Sequence, residues 1–351
     1  MRALGLMSGT SLDGVDAAVV DTDGRSIFGF GATAYRPYTD AERAVLQAHL
    51  GRWPGDDLAD ALDVVQRAHA EVSAGFQHVD AIGFHGQTLA HDPCAGRTHQ
   101  LGDGNALATA TGWRVVWDFR SADMVSGGQG APLVPVFHHA LARFLGLKRK
   151  TVFLNLGGIA NITLVNPSLE ATAPGALLAG DTGPASAVLD DFMRQRCGLP
   201  FDSGGALALQ GSPDNSLVQK VLSDPWFSQA LPKSADRNQF HSALKAVEPL
   251  SDADAAATLT AITVGAIAKI APEDTDWLVM GGGRHNRALM SGVKSRLGKA
   301  TRDIDTLGLN GDMIEAQAFA YLAARVIHEL PTSFPSTTGC AHPVCGGRIS
   351  P

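Results

Sequence analysis

At 351 residues the chain is too long for one compact core and suits two domains with a cleft between them. Its four cysteines lack the paired spacing of a zinc knuckle, and a formal net charge of −7 with scattered Lys and Arg excludes a nucleic-acid footprint. Glycine is abundant, aromatics are sparse and no apolar run reaches membrane-spanning length, so a globular, cytoplasmic protein with no membrane partner is expected.

The chain opens as a β-meander with strands at Arg2 to Met7, Val15 to Asp21 and Ser26 to Tyr35. Between the first two lies Met7-Ser8-Gly9-Thr10-Ser11-Leu12-Asp13-Gly14. Gly9 and Gly14 permit tight turns, Ser8, Thr10 and Ser11 offer hydroxyls, and Asp13 can orient a hydrated cation. A Walker loop would carry Lys and open a helix, whereas this loop returns as a strand; it is either a phosphate-wrapping hairpin or a plain turn. Helices are expected at Asp40 to Leu50, after the cap residue Thr39, and at Asp56 to Gly75, ahead of a strand at Ala81 to Phe84.

Phe84-His85-Gly86-Gln87-Thr88 then reads as a polar rim at a strand end. His85, His91 and His99 fall in loop-like sequence with no acidic ligand pattern, so they are read as hydrogen-bonding histidines rather than a metal site. After a strand at Arg114 to Trp117 come Asp118, Arg120 and Asp123, then Gly127-Gly128-Gln129-Gly130-Ala131-Pro132. Arg120 suits two-pronged pairing with a substrate carboxylate, the alternative being an ion pair with Asp118. Lys148-Arg149-Lys150 reads as a solvated helix end.

From Thr151 the opening plan returns: a strand to Leu156, a turn at Gly157-Gly158-Ile159-Ala160-Asn161, and a strand from Ile162 to Val165, with Asn161 near the place of Asp13. Two such hairpins facing a cleft can hold a nucleotide's phosphates on backbone amides. In Gly180-Asp181-Thr182-Gly183-Pro184, Pro184 suits a helix's first turn and Asp181 stands at a strand end, as a capping carboxylate or a catalytic base. Asp190 and Asp191 are expected in solvent. Gly281-Gly282-Gly283 with Asn286 follows a strand at Asp276 to Met280 and precedes a helix at Arg287 to Leu297; it lacks the spaced third glycine of a dinucleotide fold and suits close approach to a flat ring, or a simple helix entry. Glu315 opens a helix with an apolar face, turned to the cleft or to water. The tail from Pro331 to Pro351 reads as a surface loop, packed or partly mobile.

The strings Gly5 to Gly14, Phe84 to Thr88, Asp118-Phe119-Arg120, Gly127 to Pro135, Asn155 to Asn161, Gly180 to Pro184 and Gly281 to Gly283 with Asn286 together resemble the anhydro-N-acetylmuramic acid kinase family, in the family's order and over nearly the whole chain. The tail string at Thr338-Gly339-Cys340 agrees loosely. The resemblance implies an α/β, two-domain actin-like ATPase (duplicated ribonuclease H-like) fold with an interdomain cleft. The expected division is 1–127 plus 313–351 against 128–312.

It further implies ATP and Mg²⁺ as cofactors, with water and ATP opening 1,6-anhydro-N-acetylmuramic acid and O6 becoming phosphorylated in cell-wall recycling. The implied base is Asp181. The ATP segment spans Gly9, Thr10, Ser11, Leu12, Asp13, Gly14, Val15 and Asp16, with Gly157, Gly158, Asn161, Gly281, Gly282, Gly283 and Asn286 completing the nucleotide site. Substrate contacts are expected from His85, Gln87, Asp118, Arg120, Thr182 and Glu315, Arg120 for the lactyl carboxylate by its charge, and no protein metal site is expected. A homodimer is implied. Ser186 departs from the Asn expected after the Gly-Asp-Thr-Gly-Pro-Ala run. The rivals are a sugar kinase of the same fold acting on an ordinary hydroxyl, and an Hsp70-like protein clamp, although no separate peptide-binding module follows the nucleotide fold.

Overall fold

Two sheets repeat one strand order. The computed structural model describes residues 1–235, 237–298 and 300–351, and divides into a first unit of Met1–Leu147, Leu169–Leu177 and Met313–Pro351 and a second of Lys148–Ser168 and Leu178–Asp312. The strands are β1 (Arg2–Ser8), β2 (Gly14–Thr22), β3 (Ile27–Pro37), β4 (Ala81–Asp92), β5 (Arg97–Leu101), β6 (Arg114–Trp117), β7 (Thr151–Leu156), β8 (Ile159–Val165), β9 (Leu177–Pro184), β10 (Asp276–Met280), β11 (Thr301–Asp303) and β12 (Arg348–Ile349). In the first sheet β3-β2-β1-β4-β6 run in that order, with β12 beyond β6 and β5 beside β4. In the second, β9-β8-β7-β10-β11 follow the same order. In both, the opening hairpin is antiparallel and the next two strands join parallel. This is the duplicated ribonuclease H-like plan of an actin-like α/β chain.

The helices are α1 (Asp40–Ala48), α2 (Ala59–Ser73), α3 (Gly104–Thr111), α4 (Ser121–Val125), α5 (Pro135–Phe144), α6 (Ser186–Phe192), α7 (Asn215–Leu222), α8 (Ser242–Val247), α9 (Asp252–Lys269), α10 (Arg287–Leu297), α11 (Ile314–Ile327) and α12 (Pro335–Thr338). Thr39 caps α1 as expected: its hydroxyl accepts from Glu42 N–H, while the Glu42 carboxylate accepts from Thr39 N–H at 2.9 Å. α11 is the first unit's central helix. It reaches the sheet because Gly5 and Gly83 lie side by side on β1 and β4; a Cβ there would stand 1.8 Å from Ala316 O and 2.0 Å from Phe319 O. Helix backbone therefore lies directly on strand backbone. From Ile314 to Arg325 every α11 residue is buried except Glu315, so burial on all sides replaces the expected single apolar face.

Several expectations change. Segment 128–147 belongs to the first unit, so the first division falls after Leu147 rather than Gly127: Gln129 N–H donates to Thr338 O, and Phe137 of α5 packs its ring on Tyr321 of α11. The tail is built into the fold, not draped on it. Phe334, Thr337, Thr338, Cys340 and Val344 are buried, and β12 pairs with β6, because Ser350 exchanges hydrogen bonds with both backbone groups of Val115. His85, His91 and His99 lie on β4 and β5, since β4 continues far past Phe84 to pair with β5 as a hairpin. The second hairpin's turn is only Gly157-Gly158, so Asn161 sits on β8 opposite Asn155 instead of in a loop like Asp13. Pro184 ends β9, and α6 begins at Ser186. Asp191 pairs with Arg194 and with His241, and Arg149 with Asp274 and Asp276.

Candidate active site

The first hairpin loop is held by its carbonyls. Gln87 Nε2 donates to Gly9 O at 3.1 Å, Arg43 Nε to Leu12 O at 3.0 Å, and both Tyr38 N–H and the Tyr35 hydroxyl to Asp13 O at 2.9 Å. Among the described residues no acceptor meets the N–H groups of Thr10, Ser11 or Asp13. With its carbonyls drawn into the protein and three of its amides unspent, Leu12 N–H alone turning back to Gly9 O at 3.2 Å, the loop has the chemistry of an anion nest. Asp13 stays exposed and accepts from the Ser11 hydroxyl at 2.7 Å. One free carboxylate beside such a nest suits Mg²⁺, which keeps waters and binds mainly through substrate phosphates. Among the described residues no group of three or more His, Cys, Asp or Glu is arranged to hold a metal by itself.

Gln87 is fully buried. Its Oε1 accepts from Ser8 Oγ at 2.5 Å, so both ends of its amide are engaged with β1 and the loop that follows it. His85 is buried too. Its Nδ1 faces Gly86 O at 2.8 Å; a carbonyl only accepts, so Nδ1 carries the proton and Nε2 accepts from Arg120 Nη2 and Nε at 3.0 and 3.2 Å. Burial, then the neighbouring Arg120 charge, hold the His85 pKa well below 6.5 and keep the ring neutral. Arg120 Nη1 also donates to Gly130 O at 2.8 Å. Burial lowers its pKa to about 10, opposed by the charges of Glu315 and Asp123. Asp118 does not pair with Arg120; it takes the Ser121 hydroxyl and Arg348 Nε, the latter at 2.9 Å. A cavity of about 150 Å³ beside the middle of β4, β5 and the end of β6 is bordered by His85, Thr98, Gln100, Trp117, Asp118 and Ser121. Glu315 has its pKa raised by burial, with Arg120 pulling it down and Asp13 pushing it up. Arg120, Asp13 and Glu315 thus share one electrostatic neighbourhood in the first unit.

In the second unit the Gly157-Gly158 turn docks on the start of α6. Gly158 O accepts from Ala185 and Ala187 N–H, and Gly157 O from Ser186 N–H. The Gly281 to Gly283 loop packs on the end of β7: a Cβ on Gly281 would lie 2.1 Å from Asn155 Oδ1 and one on Gly283 2.7 Å from Leu156 Cβ, whereas Gly282 has nothing within 4 Å. Gly281 also has φ +79, a conformation costly to other residues. Asn286 caps α10, its Oδ1 accepting from Leu289 N–H at 3.1 Å. Thr182 is buried, and its hydroxyl donates to Ala160 O at 3.2 Å.

Asp181 lies within β9, partly buried. Its N–H donates to Lys233 O and its Oδ2 accepts from Ala235 N–H, both at 2.8 Å. Burial raises its pKa from 3.8 to about 6, against the lowering pull of the Ala235 hydrogen bond and the Lys233 charge. Lys233 is itself buried, its Nζ donating to Trp226 O at 2.8 Å and standing 4.1 Å from the Trp226 ring centre. Asp181 is therefore no helix cap. It is a carboxylate poised to exchange protons near neutral pH.

A family model described as anhydro-N-acetylmuramic acid kinase matches residues 1–351. The chain belongs to the anhydro-N-acetylmuramic acid kinase family. Proteins so named from Ruegeria sp. (strain TM1040) and Cereibacter sphaeroides are 53% and 54% identical to it, covering 100% and 99% of this chain and 95% of each relative. One from Rhodopseudomonas palustris (strain BisB18) is 46% identical over the full length of both.

As a member of this kinase family the chain keeps its Gly-Asp-Thr-Gly-Pro string on β9, and its Ser186 still opens α6. The Ser186 N–H holds the hairpin at Gly157, and its Oγ lies 3.3 Å from where a Cβ on Gly283 would stand. Sequence reasoning missed Lys233 and Ala235, which hold Asp181 from an aperiodic, proline-containing segment without any motif. It also missed Arg284, which is buried with its guanidinium on Asp305 and Asp312 and donates to Gly281 O at 3.3 Å. Its position just after three glycines was the available signal.

Proposed function

We propose that the chain uses ATP and water to open the internal bridge of 1,6-anhydro-N-acetylmuramic acid and to phosphorylate O6, releasing ADP and N-acetylmuramic acid 6-phosphate, in cell-wall recycling. Asp181 carries this reading. Ionised near neutral pH and fixed by Ala235 N–H, it takes a proton from the water that attacks C1. As the C1–O6 bond breaks with oxocarbenium character, O6 bonds to the γ-phosphorus and the β–γ bridging oxygen leaves with ADP. Capture by phosphorus makes a separate acid for O6 unnecessary. The proton on Asp181 returns to solvent.

The phosphates are assigned to the N–H groups of Thr10, Ser11 and Asp13 within the Gly9 to Asp16 segment and to the Gly157-Gly158 turn, and the open face at Gly282 to the nucleotide's ring. Mg²⁺, when bound, neutralises phosphate charge, with Asp13 the carboxylate placed to meet it. Arg120 receives the lactyl carboxylate. Turnover of the anhydro sugar beside unmodified hexosamines, in water labelled with heavy oxygen, tests the reading. Label at the anomeric carbon beyond the rate of spontaneous exchange is expected; unlabelled product, or preference for an ordinary hexosamine, refutes it.

A further inference from the structure

Two glycine- and threonine-containing strings have no part in the chemistry so far: Gly127 to Pro132 and the tail at Thr338. They meet at Asp123. This carboxylate is 1% exposed and belongs to the short α4 that follows Arg120. Its Oδ1 accepts from the hydroxyls of Ser333 and Thr338, at 2.5 and 2.7 Å, and its Oδ2 from Gly130 N–H at 2.7 Å. Gln129 N–H donates to Thr338 O at 2.8 Å, closing a second strand of the same tie. The loop has no slack at this point, for a Cβ on Gly128 would lie 2.2 Å from Asp123 Oδ2. Gly130 then presents its carbonyl to Arg120 Nη1 at 2.8 Å.

We propose that Asp123, with Thr338 of the C-terminal tail, is a positioning device for Arg120 that sets the enzyme's preference for a carboxylate-bearing sugar. Among the described residues Arg120 has no carboxylate in hydrogen-bond contact; its orientation rests on two neutral acceptors, His85 Nε2 and Gly130 O. Of these, Gly130 O belongs to a buried glycine whose own N–H donates to Asp123 Oδ2, so the direction of that carbonyl is set by the Asp123 tie. Releasing that tie leaves the guanidinium held by His85 Nε2 alone and loosens the direction of its Nη1 donors, which a bidentate carboxylate needs fixed. The tail thereby acts on specificity without touching substrate.

This inference rests on Arg120 receiving the lactyl carboxylate, and the test separates the two. Calorimetric binding of 1,6-anhydro-N-acetylmuramic acid and of 1,6-anhydro-N-acetylglucosamine, which lacks the lactyl group, is measured for the parent, Thr338→Val, Thr338→Ser and Arg120→Lys. Thr338→Val keeps the shape and removes one hydroxyl, and an unchanged KM for ATP reports an intact fold. The expected result is a Kd for the muramic sugar raised about five- to tenfold in Thr338→Val, by loss of a buried hydrogen bond to a charged group, an unchanged Kd for the glucosamine sugar, and recovery in Thr338→Ser. Equal weakening for both sugars, or none while Arg120→Lys loses the preference, overturns the inference and leaves the Arg120 reading standing. If Arg120→Lys keeps the preference, both fall.

Discussion

Replacing Asp181 by Asn should stop the enzyme and stabilise it in the same stroke. Each tenfold change in proton affinity is worth about 1.4 kcal/mol. Raising the Asp181 pKa from 3.8 to about 6 therefore means that holding this carboxylate charged costs the folded state about 3 kcal/mol at neutral pH and above. The sign follows from proton binding: the folded form holds the proton more tightly than the unfolded chain, so stability falls as pH rises from about 4 to about 6 and stays low beyond. Asn keeps an oxygen for Ala235 N–H without the charge. Urea unfolding should show the variant more stable by up to about 3 kcal/mol at pH 8, by about half of that at pH 5 and by little at pH 4. Meanwhile kcat should fall by about 10² to 10⁴, the usual worth of a general base, with ATP still bound. A gain independent of pH, or a loss of stability at pH 8, would refute the account of burial at this site. Parent-like turnover would refute the base.

Further outcomes follow from the loops and the tail. Gln87→Leu removes the side chain that ties the Ser8 hydroxyl to the Gly9 carbonyl, leaving them only the Tyr38 hydroxyl and Leu12 N–H, so KM for ATP should rise about tenfold; an unchanged KM in initial-rate kinetics would remove Gln87 from the phosphate loop. Gly281→Ala sets a Cβ against Asn155 at a φ of +79, and calorimetry should show nucleotide binding lost while circular dichroism still reports a folded chain. Deleting residues 346–351 strips β12 and the Ser350 bonds from β6, and chemical denaturation should show about 1 to 3 kcal/mol of stability lost. A truncated chain as stable as the parent would make the tail an appendage after all.

Local signals settled much of this protein from the sequence alone. Short apolar, β-branched runs bounded by glycine turns gave both opening hairpins, the Thr39 cap placed α1, and the apolar run and glycines around 276–297 matched β10 and α10 to the residue. Asp181 was visible as a carboxylate between glycines, but as a cap or a base with equal claim. Its place within β9, ahead of α6, removes the cap, and the N–H that holds its carboxylate comes from Ala235, in a segment more than fifty residues away that carries no pattern. The same holds for the substrate side. The resemblance pointed to His85, Gln87 and Thr182 as substrate contacts; in the fold both ring nitrogens of His85 and both amide atoms of Gln87 meet neighbouring groups, and the Thr182 hydroxyl donates to Ala160 O, because buried polar groups must be satisfied. The tail shows the limit most plainly. A Pro-, Gly- and Ser-rich stretch reads as surface loop, since nothing in its own period calls for burial; only the distant edge of β6 and the Asp123 carboxylate give it partners. Sequence determines what is set by near neighbours, the hairpins, caps and backbone freedom of glycine, whereas the charge state of a carboxylate and the direction of a guanidinium are decided by groups that meet only in three dimensions.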